Sequence, residues 1–280
     1  MSAPRRRLDV ELVRRGLVAS RQRAQAEISS GRVLVGGAVA ERASRLVAPF
    51  EPVELLGSPR RFVGRGGEKL DAALERFRVD VAGAVVLDAG ASTGGFTDCL
   101  LQRGAAVVAA VDVGHGQLDA RLRADERVVV LERTDVRALD RAVLAASLGD
   151  ARVPVDALTA DLSFISLRAA VPVLAGPIVR VGAPLVVLVK PQFEVGKAEA
   201  SRHKGVVRDP ELWLSALRAV ASSLAGAGAA IMDAMPSPIT GASGNAEFLV
   251  HAVAHLLPLG AALSEAADEA LCAAVATAPV

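Results

Sequence analysis

Short apolar runs, separated by stretches with a helical period, recur along the chain from about residue 85 onward. These runs are four to seven residues long, which is typical of buried strands, and most are followed by alanine-rich sequence that favours helices. Strands joined through helices form a parallel, doubly wound sheet. The predicted strands are residues 85–88, 107–112, 128–131, 155–161, 185–190, 229–234 and 248–253.

The first 57 residues follow another pattern, with two short helical stretches ahead of a hairpin. Asp9 and Ser20 are expected to cap these helices, because their side chains can accept hydrogen bonds from the first turn. Gly36-Gly37 between two apolar triplets predicts a tight hairpin, and residues 52–56 predict a further strand. The pattern indicates a small α/β module.

A stretch rich in Gly, Pro and Arg separates the two patterns and predicts a domain boundary. We expect a small N-terminal domain at residues 1–59 and a linker at 60–67. The sheet domain is expected at residues 68–258, followed by a C-terminal helix or tail at 259–280. The last segment is acidic and alanine-rich, which favours a peripheral position.

Composition predicts a cytoplasmic protein with a substantial core. Of the 280 residues 52% are hydrophobic and 22% charged, enough for one full core and a smaller domain. Cys99 and Cys272 lie far apart, which suits a reducing compartment better than a disulfide framework or a metal site. Neither a signal peptide nor a transmembrane helix is expected.

The net charge of +1 conceals an asymmetry along the chain. Residues 1–65 hold 13 arginines against six acidic residues, a net charge of +7, so the remainder carries −6. Such a basic region indicates either a polyanion partner or a solvated basic face. The candidate RNA-binding residues are Arg6, Arg7, Arg14, Arg21, Arg23, Arg32 and Arg65.

A turn of small residues follows the first predicted strand, at residues 88–97, and opens into a helix. Glycines let a ligand approach the backbone closely, and the aspartate before the first glycine favours S-adenosylmethionine over NAD. The alternative is a tight β–α connection without a ligand. Asp112, 22 residues beyond Gly90, weakens that alternative because it can accept from both ribose hydroxyls of a nucleoside. The candidate cofactor-binding residues are Asp88, Gly90, Ala91, Ser92, Thr93, Gly94, Asp112, Val113 and Asp135.

Lysine is rare in this chain, with four lysines against 28 arginines, so each lysine is a candidate for a specific role. Lys190 and Asp161 each end a predicted strand at the carboxyl edge of the sheet, where ligands bind and where the two can pair. Lys69 and Glu247 complete a set of two amines and two carboxylates. Such groups suit the activation of a poorly nucleophilic hydroxyl, without a metal.

Several segments resemble known families. The helix–helix–hairpin at about residues 7–57 resembles the αL RNA-binding motif of a small-subunit ribosomal protein and of pseudouridine synthases. Residues 88–97, 161–166 and 189–194 resemble the signatures of the TlyA (hemolysin A) family of rRNA cytidine-2′-O-methyltransferases, within the FtsJ/RrmJ-like superfamily. This second resemblance runs from about residue 7 to residue 251.

The resemblance implies a Rossmann-like class I methyltransferase sheet, mostly parallel with the last strand antiparallel. It implies in-line methyl transfer from S-adenosylmethionine to cytidine 2′-hydroxyls of 16S and/or 23S rRNA, free or in assembled subunits. The superfamily's Lys-Asp-Lys-Glu catalytic tetrad maps onto Lys69, Asp161, Lys190 and Glu247. One departure is Gly64, where the family usually has serine, and it is expected to loosen the linker.

Three other functions stay open at this point. A non-catalytic RNA-binding assembly factor could use the same fold. A membrane-active hemolysin would need an amphipathic or spanning segment, and the sequence contains no evident candidate. A small-molecule methyltransferase would leave the basic N-terminal module unexplained.

Overall fold

The computed structural model describes residues 5–56, 61–196, 205–241 and 244–279. The chain divides into two compact units, residues 1–60 and residues 61–280. Each unit has its own hydrophobic core.

Within its described residues, 5–56, the first unit contains two helices and five short strands. Strand β2 is the centre of a three-stranded antiparallel sheet of order β3-β2-β5, and β1 pairs with β4. Gly36 and Gly37 have φ values of 61° and 81°, so the predicted tight hairpin is confirmed. The elements are β1 (Arg6–Arg7), α1 (Leu8–Arg14), α2 (Arg21–Ser29), β2 (Val33–Val35), β3 (Ala38–Val39), β4 (Leu46–Val47) and β5 (Val53–Leu55).

The two predicted helix caps in this unit have different outcomes. Ser20 caps α2 as predicted, because its side chain accepts a hydrogen bond from the backbone N–H of Arg23. The prediction for Asp9 is wrong, since the N-cap residue of α1 is Arg7 and Asp9 lies within the first turn. The carboxylate of Asp9 is buried and accepts hydrogen bonds from the side chains of Arg7 and Arg21.

The second unit is built on a seven-stranded sheet of order β11-β12-β10-β9-β6-β7-β8. Strands β6 to β10 are mutually parallel, whereas β12 is antiparallel to both of its neighbours, as the resemblance implies. The strands are β6 (Val85–Ala89), β7 (Val107–Val111), β8 (Val128–Leu131), β9 (Ala157–Ala160), β10 (Pro184–Val189), β11 (Ala230–Pro236) and β12 (Phe248–Val253).

Helices cover both faces of this sheet. Alternate strand residues face opposite sides, so Leu87 belongs to one buried cluster and Val86 to the other. Burial on both faces explains the nearly continuous apolar strands. The helices are α3 (Gly66–Phe77), α4 (Gly95–Gln102), α5 (Ala120–Arg123), α6 (Arg141–Leu148), α7 (Val171–Leu174), α8 (Pro191–Glu194), α9 (Pro210–Gly226) and α10 (Glu265–Ala276).

The segment expected to be a linker, residues 60–67, is packed where the structure describes it. Phe62 is 3% exposed, and the backbone N–H of Val63 donates to Asp98 at 2.8 Å. A Cβ added to Gly67 would lie 2.3 Å from the Phe62 ring, so the small residue lets the ring pack against α3. Residues 61–65 therefore lead directly into α3 as part of the second unit.

Candidate active site

The glycine-rich turn after β6 brings two loops of the sheet together. Gly90 has φ +87°, and an added Cβ would lie 2.4 Å from the carbonyl oxygen of Asp161. Gly94 has φ +98°, and a Cβ there would lie 2.2 Å from Leu122. Both positions require glycine for conformation and for space. The turn is thereby fixed against the loop that carries Asp161.

Asp88, expected to bind the cofactor, instead lies fully buried beneath this turn. Its carboxylate accepts hydrogen bonds from the hydroxyls of Thr97 at 2.6 Å and Thr159 at 3.3 Å. Burial, with a smaller contribution from the nearby carboxylate of Asp161, raises the pKa of Asp88 to about 7. Asp88 therefore supports the turn from within and does not reach the cleft.

A cleft of about 340 Å³ opens at the carboxyl ends of the parallel strands. Five of the expected cofactor residues line it, namely Gly90, Ser92, Asp112, Val113 and Asp135. Four others, Asp88, Ala91, Thr93 and Gly94, lie outside its lining. The sequence did not single out the following lining residues as cofactor-binding: Gly114, Gln117, Thr134, Val136, Arg137, Leu162, Ser163, Phe164 and Ile165.

Two of the three acidic residues that line the cleft, Asp112 and Asp135, are engaged with the surrounding protein. The carboxylate of Asp112 accepts hydrogen bonds from the backbone N–H groups of Ser92 at 2.8 Å and Gly114 at 2.6 Å. Hydrogen bonds from the side chain of Arg137 lower the pKa of Asp135 to about 2. Each carboxylate oxygen can accept a second hydrogen bond, so both groups remain available to a ligand.

Lys190 and Asp161 form an ion pair at the edge of the cleft. The Nζ of Lys190 lies 2.5 Å from Oδ1 of Asp161 and donates to the hydroxyl of Ser163 at 2.7 Å. The side chains are 11% and 22% exposed, so the pair is largely enclosed yet reachable. Asp161 and Ser163 also line the cleft, which connects this pair directly to the expected cofactor site.

Lys69 and Glu247 form a second, deeper ion pair. Their side chains are 8% and 3% exposed, and the amine of Lys69 donates to Oε2 of Glu247. A buried ion pair depends on close geometry because both ions have lost their hydration. Gly241 provides room for it, since a Cβ there would lie 2.0 Å from Oε1 of Glu247.

The fold brings the two ion pairs to neighbouring positions. Val189 of β10 is paired with Phe248 of the neighbouring strand β12. Lys190 follows Val189 and Glu247 precedes Phe248, so the two residues lie at the same end of this antiparallel pair. A Cβ on Gly66 would lie 3.8 Å from Oδ2 of Asp161, and Lys69 is one helical turn further along α3. The four residues expected from the sequence therefore cluster at one end of the sheet.

Arg65, expected to bind RNA, has an internal contact in the structure. Its guanidinium donates to the backbone carbonyl of Thr240. This contact joins the residue before α3 to the loop that precedes Glu247. Arg65 thus connects the two segments that supply the deeper ion pair.

Glu194, at the end of α8, connects the loop after β9 with the turn and short helix that follow β10. Its buried carboxylate accepts from the backbone N–H of Leu167 at 2.6 Å and from the hydroxyl of Ser166 at 2.5 Å. Phe164, in the first of these segments, has φ +68°, and its ring lies 5.5 Å from that of Phe193 in the second. The contacts hold together the two segments that carry Asp161 and Lys190.

The arginines expected to bind RNA in the first unit differ in exposure. Arg6 is exposed, and the side chains of Arg7, Arg14 and Arg21 are 46%, 48% and 59% exposed. Those of Arg23 and Arg32 are 27% and 26% exposed, and both pair with the buried Glu27.

The cleft fits S-adenosylmethionine in size and in charge. Its volume lies within the range of small-molecule sites. Asp112 and Asp135 are positioned where acceptors for a ribose and an adenine would be needed. Together with Asp161 they give the cleft three carboxylates, which suit a ligand that carries a sulfonium cation. Leu162 and Ile165 add apolar surface.

The described part of the chain lacks two further classes of site. Within residues 5–56, 61–196, 205–241 and 244–279, there is no helix long and apolar enough to span a bilayer. The same residues contain no cluster of three or more histidine, cysteine, aspartate or glutamate side chains that could hold a metal ion.

Comparison with known proteins supports both units. The FtsJ-like methyltransferase family profile matches residues 62–253, and the S4 domain profile matches residues 6–53. The chain is 47% identical over 249 residues to the 16S/23S rRNA (cytidine-2′-O)-methyltransferase TlyA of Mycobacterium tuberculosis, covering 89% of this chain and 90% of that protein. It is 35% identical to Hemolysin A of Brachyspira hyodysenteriae, covering 88% and 98%.

A solved structure from Streptococcus thermophilus, of a protein named as a hemolysin, has a similar fold. The two chains are 34% identical, the TM-score is 0.72, and the match covers 97% of this chain and 96% of that one.

Proposed function

Because the chain belongs to the TlyA family of FtsJ-like methyltransferases, we propose that it methylates a cytidine 2′-hydroxyl in 16S rRNA, 23S rRNA or both. S-adenosylmethionine is the expected methyl donor of this fold. The observation that carries the proposal is the position of Asp161, which lines the cofactor cleft and also pairs with Lys190. One carboxylate thus links the donor site to a candidate acid–base group.

The proposed chemistry divides the work between the two ion pairs. A ribose hydroxyl is a weak nucleophile at neutral pH, and Lys190 assists removal of its proton. Asp161 and Ser163 hold the amine of Lys190 at the cleft edge. The Lys69–Glu247 pair positions the hydroxyl and the neighbouring amine. S-adenosylmethionine, when bound, supplies a methyl group on an electrophilic sulfonium.

Positioning is expected to contribute more than acid–base strength. The donor is already activated, whereas the approach of the hydroxyl must be closely aligned. The rigid connections on this side of the sheet agree with that requirement, since Gly90, Glu194 and Arg65 each join segments that carry a tetrad residue.

The first unit is proposed to bind rRNA through its exposed arginines. Contacts to phosphates give salt-dependent affinity that is independent of sequence, so the target nucleotide would be selected by RNA shape and by extrusion from the helix.

The test compares wild type with Lys190→Ala and Lys190→Arg. Unmethylated 30S and 50S ribosomal subunits are incubated with labelled S-adenosylmethionine, and 2′-O-methyl groups are located by reverse-transcription stops at low dNTP. We expect wild type to label a defined cytidine and both variants to fail. Arginine keeps the charge, but it stays protonated and cannot take up a proton.

Other results would change the conclusion. Equal labelling by Lys190→Ala would remove Lys190 from the chemistry. Absence of labelling with intact RNA binding would favour the non-catalytic assembly factor.

A further inference from the structure

Three carboxylates of the first unit are buried, which is rare for charged side chains unless they are paired. Asp9, Glu11 and Glu27 are 0%, 1% and 2% exposed. Each is bound by two arginines, an arrangement that we call a carboxylate clamp. The clamps are Asp9 with Arg7 and Arg21, Glu11 with Arg14 and Arg15, and Glu27 with Arg23 and Arg32.

The three clamps differ in how far their arginine side chains are exposed to solvent. In the Glu11 clamp, Arg15 is 20% exposed and donates to the backbone carbonyls of Ala48, Pro49 and Glu51, so it serves the fold. Both arginines of the Glu27 clamp are about three-quarters covered. The Asp9 clamp alone, among the three, has two arginines whose side chains are about half exposed.

The Asp9 clamp holds two guanidinium groups side by side. Arg7 donates through Nε to Oδ1 at 3.0 Å and through Nη2 to Oδ2 at 3.1 Å. Arg21 donates through Nη2 to the same Oδ2 at 2.9 Å. Two cations that bind the same carboxylate repel each other, and the negative charge of that carboxylate offsets the repulsion. Each guanidinium has five donors, so several remain for an external ligand.

We propose that Asp9 is a positioning residue for RNA binding, which holds Arg7 and Arg21 as a paired seat for one phosphodiester of the rRNA. The inference rests on the proposed function and extends it from a basic surface to a defined contact. Two guanidinium groups can meet the two non-bridging oxygens of a phosphate. Because the clamp orders both side chains before RNA arrives, less conformational entropy is lost on binding.

The decisive test compares two variants, each of which removes one negative charge from the first unit. Asp9→Asn keeps the size of the side chain but takes the charge out of the clamp. Glu54→Gln on β5 removes the same charge from an exposed position and is the matched control. If the arginines acted only as a diffuse basic face, both variants would bind RNA slightly more tightly.

The proposal predicts different changes in RNA affinity for the two variants. Affinity for 30S and 50S subunits, measured by filter binding over a series of KCl concentrations, is expected to fall about tenfold in Asp9→Asn and to stay equal or rise in Glu54→Gln. The kcat for methyl transfer at saturating subunits and the affinity for S-adenosylmethionine are expected to match wild type in both variants.

Thermal unfolding of each variant separates loss of positioning from loss of folding, and a double-mutant cycle tests whether Asp9 acts through Arg21. In a double-mutant cycle, Arg21→Gln should weaken wild type about tenfold but cost little more in Asp9→Asn, because both changes remove the same seat. Additive losses, or equal or tighter binding by Asp9→Asn, would overturn the proposal while leaving the proposed function intact. If wild type bound neither subunit, the proposed function itself would fail and the inference with it.

Discussion

At the scale of single residues, Gly241 illustrates how a position without a side chain can control the placement of Glu247, a residue of the proposed catalytic tetrad. Gly241→Ala would put a methyl group 2.0 Å from Oε1 of Glu247, well inside normal contact distance, so the carboxylate has to shift from the position in which it pairs with Lys69. Because a displacement of about 1 Å can cost a factor of about 100 in rate, we expect kcat to fall about 10- to 100-fold.

The measurement for Gly241→Ala is methyl transfer at saturating cofactor, together with cofactor affinity by calorimetry. Affinity should be unchanged, since Gly241 does not line the cleft. Gly226→Ala, in helix α9, is the control because its added Cβ meets nothing within 4 Å. Wild-type activity in Gly241→Ala would show that Glu247 tolerates displacement.

Asp88 provides a second residue-scale prediction, on stability. Burial raises its pKa to about 7, against about 4 for an unfolded chain, so the folded state holds the proton more strongly. The stabilisation is complete below about pH 4 and is lost as the pH rises through about 7. Asp88→Asn mimics the protonated form, so the variant is expected not to lose this part of its folding stability as the pH rises.

Urea unfolding at pH 5 and pH 8 tests the prediction for Asp88. The midpoint of wild type should fall relative to that of Asp88→Asn as the pH is raised. Parallel curves for the two proteins would show that Asp88 does not titrate in this range.

At the scale of secondary-structure elements, the segments after β9 and β10 act as one unit because Glu194 joins them. Glu194→Gln leaves the shape of the side chain but replaces one acceptor oxygen with an amide, next to Leu167, Ser166 and Arg168. Since Ser163, Phe164 and Ile165 line the cleft, we expect the KM for S-adenosylmethionine to rise about tenfold. The control is Glu211→Gln, an exposed position in the first turn of α9.

The kinetic signature distinguishes this connection from general instability. Glu194→Gln should raise the KM for cofactor while the KM for ribosomal subunits stays near the wild-type value. A variant with both constants unchanged would leave the connection without a role in the cleft.

The elements also show which features a sequence can predict. The seven strands and the hairpin are readable because apolar runs and Gly36-Gly37 impose their geometry locally. The four residues of the proposed tetrad can be named from strand ends and family resemblance, and they lie in two neighbouring ion pairs. The partners of Asp9, Asp88 and Glu194 are not readable, because each contact is decided by packing between segments distant in sequence. The signal for Glu194 was its place in a signature, without indication of what it touches.

At the scale of the whole molecule, charge and chemistry are assigned to different units. The first unit, residues 1–60, has 11 arginines against six acidic residues, whereas residues 61–280 have 21 basic against 25 acidic residues. Exposed arginines are screened by salt, but the ion pairs Lys69–Glu247 and Lys190–Asp161 are largely enclosed and much less affected. Ionic strength should therefore separate RNA binding from chemistry.

We expect the KM for ribosomal subunits to rise about 20- to 40-fold between 50 and 200 mM KCl, if about three arginines contact phosphates. The kcat and the affinity for S-adenosylmethionine should change less than about twofold over the same range, because the cleft does not depend on exposed arginines. Steady-state kinetics at each salt concentration, with cofactor affinity measured in parallel, give all three quantities. A kcat that falls with salt as steeply as the KM rises would place the exposed charges within the chemistry and contradict this separation of roles.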